Sequence, residues 1–380
     1  MNILLASDAN VERAGVCMFM LNWARGIRQI DKDGIIVAYF RKGILNKDIA
    51  LQYKSLGVKV VYSNLPQNAS NVSSKNRKKI RGNVRALLKK YKFDVMHVNS
   101  SAAGFASLVL TEGKKAGVPV RISHSHGKNL DNGIKNAYLW FLKYLIKKNS
   151  TQYAGCSIDA GRYLFGDKGI KSDKWHFIPN TIDTKRFIFD NISRSKFRDE
   201  LGIENDVILM GATGMLTDTK NHVFLLPIVK NLNQNQVKVK LLILGEGEKR
   251  QELEHECKRL GIEESVFLPG VSDEIPEWLS AMDFYVMPSL SEGLPIGAVE
   301  AQASGLYCLL SDKVPPDVDI SKKVFHLPID GGTKLWEEKI CELSKNDESQ
   351  RTAMNDVVRK AGFDSQSTAS YIKSLYGISN

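Results

Sequence analysis

Short apolar runs alternate with helical patterns along the whole 380-residue chain, and that alternation admits few folds. In the first half the runs fall at 3–7, 35–40, 58–63, 94–99, 118–126, 153–157 and 175–179. In the second half they fall at 207–214, 239–245, 265–269, 284–288, 307–311 and 323–328. Several are almost continuously apolar, as strands covered on both faces must be. Stretches such as 224–232, 249–260 and 275–282 carry helical spacing between them. The pattern predicts an α/β chain of βαβ units with a parallel sheet, built twice over. The length suits two domains of ordinary size. A charged connector at 183–198 precedes a fresh strand, so the expected domains are 1–185 and 186–364. A helical pattern at about 365–380 is expected to pack back on the first domain. Open parallel sheets bind ligands outside their strand C-termini, and with two of them the expected site is the cleft between.

Charge divides the chain. Residues 1–174 carry 30 Lys and Arg against 11 Asp and Glu, and the remainder carries 23 against 31. A basic half joined to an acidic half suggests that the first half meets something anionic. Two segments concentrate the positive charge. One runs from Lys75 to Lys92, with Ile80, Val84, Leu87 and Leu88 on its apolar side. The other, Ile134 to Lys148, mixes Tyr138, Trp140, Phe141 and Tyr144 with lysines, a composition suited to a membrane interface. The plainer reading of the same segment is an amphipathic helix covering its own sheet. Nucleic acid is a poor partner, because the aromatics are not interleaved as stacking platforms. No stretch is long and apolar enough to span a bilayer, and the first residues read as a strand rather than a signal peptide. The five scattered cysteines lack metal-like spacing and fit reduced thiols in a cytoplasmic protein.

The chemistry-bearing residues sit at the predicted strand ends. Glu292 and Glu300 lie eight positions apart, with Gly293, Leu294 and Pro295 after the first. Pro295 suits the first turn of a helix and Gly305 its stop, which places Glu292 on the loop and Glu300 about two turns along. Free N–H groups at such a helix start hold an anion, and a carboxylate beside it needs hydroxyls or a cation. A nucleotide sugar supplies phosphate and hydroxyls together. Two surface glutamates on a strand–loop–helix unit satisfy the spacing as well. Lys220, followed by Asn221, lies between a strand end and the next helix, as a diphosphate partner or as a solvated lysine. Gly245 and Gly247 form a Gly-x-Gly turn that allows close backbone approach and lacks the third glycine of a dinucleotide fingerprint. Gly15 precedes a helical pattern near the N-terminus, where a glycine admits a phosphate or sugar. His124 and His126 share one face of a strand. No third ligand accompanies them, so no metal is expected. His126, at the strand's end, is placed to orient a hydroxyl or accept a proton. His97 reads as core.

Together these residues resemble the retaining glycosyltransferases of family 4 (GT4), which have the GT-B fold of two Rossmann-like domains facing a central cleft. The resemblance covers nearly the whole chain. Its strongest part runs from Asp283 to Ser289, through Glu292-Gly-Leu-Pro and Glu300-Ala-Gln-Ala-Ser-Gly305, to Asp312. Supporting matches are Ile178–Asp183, Lys220-Asn221-His222, Leu244–Gly247 and Val266–Gly270. The wording of Arg121–His126 and Leu310–Pro315 is similar to enzymes of exopolysaccharide and capsule assembly.

The resemblance implies roles at the matching positions. Glu300 would bind the ribose hydroxyls and Glu292 the hydroxyls of the transferred sugar, assisted by N–H groups near Gly293 and Leu294. Lys220 would neutralise the leaving diphosphate, His126 would touch the donor sugar, and Gly15 would belong to the acceptor-side loop. Gly214, Asn221, Gly245, Gly247, Gly270 and Pro295 would complete the donor site. Such enzymes use no metal or other cofactor. The implied activity is transfer of a hexose or N-acetylhexosamine from a UDP-sugar, with retention, onto a polyprenyl-linked saccharide. The expected location is the cytoplasm, peripheral on the inner face of the plasma membrane, held to anionic lipid by the basic first domain. The alternatives are a catalytically weakened GT-B partner of an active transferase, or a UDP-sugar epimerase. Three positions depart from the family. Met215 stands where an arginine is usual, and losing such a charge-assisted contact costs about 1.5–3 kcal/mol unless another cation replaces it. Ala14-Gly15 replaces a paired glycine, and Asn180-Thr181 replaces Asn-Gly.

Overall fold

The structure is a computed structural model that describes residues 1–11, 15–63, 65, 74–127, 136–344 and 351–378. Ala14 and Ile134, named above, lie outside the described residues. The chain divides into two compact units, Met1–Thr181 with Ser365–Asn380, and Ile182–Asp364.

In the first unit the order is β1 (Ile3–Ser7), α1 (Gly15–Ile30), β2 (Ile36–Phe40), α2 (Lys47–Ser55), β3 (Lys59–Tyr62), α3 (Ser74–Lys90) and β4 (Val95–Ser100). There follow α4 (Ala103–Lys115), β5 (Val120–Ser125), α5 (Asn136–Asn149), β6 (Gln152–Gly155), α6 (Ile158–Ile170) and β7 (Trp175–Phe177). The sheet order is β3-β2-β1-β4-β5-β6-β7, with every pair parallel. β1, β2 and β4 are buried along their whole length. Their alternate residues feed two cores, Ile3, Leu5, Ala38 and Phe40 on one face, Leu4, Ala6, Val37 and Tyr39 on the other. This is why these runs read as continuously apolar rather than alternating.

In the second unit the order is α7 (Asn191–Glu200), β8 (Ile208–Thr213), α8 (Leu225–Gln234), β9 (Val239–Leu244), α9 (Arg250–Leu260), β10 (Val266–Gly270), α10 (Ile275–Ala281) and β11 (Phe284–Met287). It continues with α11 (Ile296–Ala303), β12 (Tyr307–Ser311), β13 (Val324–Leu327), α12 (Lys334–Leu343) and α13 (Ala353–Val358). Its sheet, also parallel, has the order β10-β9-β8-β11-β12-β13. Helix starts follow local chemistry: Asp190 caps α7 by accepting from the N–H groups of Ile192 and Ser193. The last helix, α14 (Ser367–Tyr376), belongs to the first unit and lies along α1, where Gly26 leaves room for Thr368 and Ile372.

Two local expectations shift. β5 ends at Ser125, so His126 is the first residue beyond the strand. Pro295 is the N-cap of α11 rather than part of its first turn, and Glu300 sits just over one turn in. Pro295 holds an extended ψ of 112°, which delays the helix by a residue.

At the N-terminal edge of the second sheet, Asp283 ties β8 to β11. Its carboxylate accepts from Arg198 (3.1 Å), Arg194 (2.5 Å) and the Leu209 N–H (2.7 Å). Arg198 is only 3 % exposed. Replacing Asp283 with Ala leaves Arg198 with only backbone carbonyls and no counter-charge, and breaking such a buried pair costs about 3–5 kcal/mol. Urea titration of the D283A variant should show that loss as a lower midpoint.

Candidate active site

In the second unit the C-terminal strand ends converge through their glycines. The Gly214 N–H donates to the Leu244 carbonyl (3.0 Å), and the Gly245 N–H to that of Gly270 (2.8 Å). Gly245 has φ +156°, and a Cβ there would lie 1.9 Å from the Gly214 carbonyl oxygen. A Cβ on Gly247 would lie 2.3 Å from the Leu216 carbonyl oxygen. Backbone packing therefore requires both glycines of the Gly-x-Gly turn, whatever ligand approaches them. Gly270 closes the row at the end of β10.

Lys220 and Glu292, given separate partners by sequence, stand together. Lys220 Nζ donates to Glu292 Oε1 at 2.6 Å, with the side chains 21 % and 12 % exposed. The loops that carry them are stitched: the Leu290 N–H donates to the Thr219 carbonyl (2.8 Å), and Asn221 Nδ2 to that of Pro288 (3.2 Å). Asn221 takes the left-handed conformation (φ 54°), which turns the chain immediately after the lysine. Gly214 lies beneath the lysine stem, with its Cβ position 3.3 Å from Cε. Gly293 follows Glu292 on the loop, and Leu294 and Pro295 are buried at the start of α11.

The Glu300 carboxylate has no hydrogen-bond or ion-pair partner among the described residues, while its backbone carbonyl accepts from the Ser304 N–H. Burial pushes its carboxyl up to about 7, with the charge of Arg186 opposing. Beneath α11, Tyr285 and Thr213 share a hydrogen bond (3.0 Å). A Cβ on Gly297 would lie 2.4 Å from the Tyr285 hydroxyl and 2.5 Å from Thr213 Oγ1. Sequence reasoning missed Tyr285, Thr213 and Gly297. The available signal was Gly297 itself, since a glycine in a helix's first turns is unfavourable by about 1 kcal/mol unless packing requires it. Met215 is 53 % exposed and supplies no charge. His222, next to Asn221, is buried, and burial together with the Lys220 charge pushes it down to about 4.

In the first unit His126 emerges just beyond β5. Its Nε2 lies 3.0 Å from Asn99 Oδ1, and its ring stacks on His124 at 4.1 Å between centroids. Phe19 meets both rings edge-on. Burial pushes His126 down to about 3, so the imidazole is neutral at physiological pH. His97, read as core, is buried as expected and also bonds to His124. Gly15 is the first residue of α1, with open space around its Cβ position. The structure thus joins Gly214, Lys220, Asn221, Glu292 and the α11 start in one unit, and places His126 and Gly15 in the other. Among the described residues no three His, Cys, Asp or Glu side chains converge as they would around a metal ion.

The chain is similar to known proteins in sequence and in fold. Residues 21–186 match the model of Glycosyltransferase Family 4, and residues 193–360 match that of Glycosyl transferases group 1. EpsF of Bacillus subtilis (strain 168), assigned as a glycosyltransferase, is 31 % identical over 303 residues, covering 78 % of each chain. An Escherichia coli UDP-Gal:α-D-GlcNAc-diphosphoundecaprenol α-1,3-galactosyltransferase is 27 % identical over 60 % of this chain and 59 % of its own length. Among solved structures, Anabaena HepE in complex with UDP superposes with a TM-score of 0.79 at 15 % identity, covering 99 % of this chain and all of that one. WaaG, a glycosyltransferase involved in lipopolysaccharide biosynthesis, superposes at 0.70 with 13 % identity, covering 99 % of both chains. The fold is therefore GT-B, two parallel α/β domains.

The raised carboxyl of Glu300 has a thermodynamic sign. Its folded value lies above the ordinary 4.5, so burial of the charged form destabilises the fold. That penalty is absent below about pH 4.5, grows as pH rises and is complete above about 7. Melting temperatures of Glu300→Gln and the parent should coincide at pH 4.5, with the variant melting higher at pH 8. Parallel pH profiles would refute the assignment.

Proposed function

Because the chain belongs to the GT4-type glycosyltransferases, we propose that it moves a hexose or N-acetylhexosamine from a UDP-sugar, with retention, onto a lipid-linked saccharide during exopolysaccharide or capsule assembly. The observation that carries this reading is the Lys220–Glu292 pair at the strand ends, with Glu300 unpartnered one helical turn beyond. An ammonium has three donors, and Glu292 engages one. The other two can serve a diphosphate, and the pair orients the lysine for it. Glu292 keeps lone pairs for sugar hydroxyls. Glu300, whose ionised form lacks a partner, suits the ribose hydroxyls, which would donate to it.

In this reaction the bond between the anomeric carbon and the diphosphate oxygen breaks, and a bond to the acceptor oxygen forms on the same face. The acceptor proton passes to the departing diphosphate. Lys220 and the N–H groups at the start of α11 stabilise the charge that develops there, so no metal is needed. His126 and Gly15 would line the sugar and acceptor side, making 1–185 the acceptor domain and 186–364 the donor domain. Support for UDP comes from HepE, solved with UDP, and for the acceptor from the E. coli relative named for a diphosphoundecaprenol substrate. The exposed Met215 favours one rival, a weakened transferase acting as a partner protein. UDP separates the two: an enzyme gains thermal stability from it, and a pure partner does not.

A donor panel with a polyprenyl-diphosphate saccharide tests the activity. Lys220→Ala should lower kcat about 10²–10³-fold, as loss of a preorganised charge does. No turnover and no nucleotide release with any donor would sink the proposal.

Membrane attachment is part of the same reading. No helix among the described residues is long and apolar enough to cross a membrane. On α5, Leu142 and Ile146 pack inward while Trp140, Phe141 and Tyr144 are 69 %, 45 % and 43 % exposed. Lys148 lies over the Tyr144 ring. An aromatic face edged by lysines suits the headgroup layer of an anionic bilayer. On α3, by contrast, Arg81 and Arg85 are both spent on Glu112. Co-sedimentation with anionic vesicles should be strong at low salt and fall for Trp140→Ser. Equal recovery with neutral and anionic lipid would count against attachment.

A further inference from the structure

The buried polar groups of the first unit form a chain that the reaction above leaves without a task. Trp23 Nε1 donates to the Tyr376 hydroxyl at 2.8 Å. That hydroxyl lies 3.2 Å from His97 Nδ1, and His97 Nε2 lies 3.1 Å from His124 Nδ1. All four side chains are at most 4 % exposed. Of the polar side-chain atoms of these four residues, His124 Nε2, with the Ile178 backbone beside it, is the one without a hydrogen-bond partner among the described residues.

Proton counting gives the chain one direction. An indole N–H can only donate, so the Tyr376 oxygen accepts from Trp23. If Tyr376 then donates to His97 Nδ1, His97 carries its proton on Nε2 and donates to His124 Nδ1. His124 in turn carries its proton on Nε2, and one buried donor is left without an acceptor. The reverse direction leaves two buried groups unmet, the Tyr376 O–H and the His124 Nε2 lone pair. Unmet buried groups are costly, so the first direction holds. Burial keeps His97 and His124 neutral, as both directions require.

The chain ends against His126. The His124 ring stacks on it at 4.1 Å and 27°. Asn99 Nδ2 donates to the His97 carbonyl (3.3 Å), which orients the amide so that its Oδ1 accepts from His126 Nε2. His126 therefore presents the unprotonated Nδ1. We propose that Tyr376, on the last helix, is a positioning residue for His126: its hydroxyl sets the tautomers of His97 and His124, and the fixed His124 ring holds the His126 ring in place. The proposal rests on the transferase reading for its effect on rate. The tautomers themselves are independent of that reading.

Tyr376→Phe keeps the ring and removes only the hydroxyl. Long-range ¹H–¹⁵N spectra of the labelled full chain should show His97, His124 and His126 protonated at Nε2. In the variant, His97 should shift wholly or partly to the Nδ1–H form. With a working donor and acceptor, kcat should fall about tenfold or more while the donor KM changes little, as expected when a reacting geometry is loosened. A parent spectrum with His97 protonated at Nδ1 overturns the proposal, and needs no variant to fold. So does a folded variant with unchanged histidine tautomers, or an active one with unchanged kcat. A chain that turns over no donor yet shows the tautomer change defeats the transferase reading and retains the hydrogen-bond direction.

Discussion

Every strand in both sheets runs parallel to its neighbours, and this constrains everything else in the molecule. Parallel strands end on one edge, so each loop that leaves a strand tip there is followed by a helix start pointing back at the same place. Lys220 follows β8, Gly245 follows β9, Gly270 ends β10 and Glu292 follows β11. None is near another in the chain except by this rule. The other edge carries structural chemistry instead, with Asp283 and its two arginines holding β8 to β11.

At the ligand edge, electrostatics is arranged by pairing and by withholding partners. The Lys220–Glu292 pair is partly buried and held by stitched loops, so its geometry is more constrained than that of a surface ion pair. The Glu300 carboxylate has no hydrogen-bond partner among the described residues, and burial raises its carboxyl into the neutral range. A carboxyl in that condition gains most from hydroxyl donors, which favour its charged form. Two glutamates of one motif thus differ in surroundings, because Glu292 meets the Lys220 ammonium directly and the Glu300 carboxylate meets no hydrogen-bond partner among the described residues.

The first unit uses its buried polar groups differently. Trp23, Tyr376, His97 and His124 are buried together, where each unmet polar group is costly, and their chain leaves only the His124 Nε2 end unmet among the described residues. Their chain joins α1, α14, β4 and β5 around one stack of rings. A rigid cluster of this kind can hold the partly exposed His126 in one orientation, whereas a histidine on a free loop would sample several.

The twice-built parallel α/β architecture was legible in the sequence because helices on both faces of a parallel sheet force near-continuous apolar runs, as in Leu4–Ala6 and Leu241–Ile243, while GT-B followed only from the family resemblance. Glu292 and Lys220 could be named from sequence because charged residues on the loops past strand ends stand out against apolar runs, and Glu300 because it stands eight positions after Glu292 in a helical stretch. Their mutual arrangement could not. Lys220 and Glu292 are 72 positions apart, and only the neighbouring placement of β8 and β11 brings them within 2.6 Å. The requirement for Gly297 was hidden for the same reason, since it answers to Thr213 and Tyr285 on two other strands. His97 read as core because its burial is a local property, while its partner Tyr376 is 279 positions away. Local patterning is written into neighbouring residues and survives in one dimension. Pairing energies depend on distances across the sheet, and those exist only once the chain has folded.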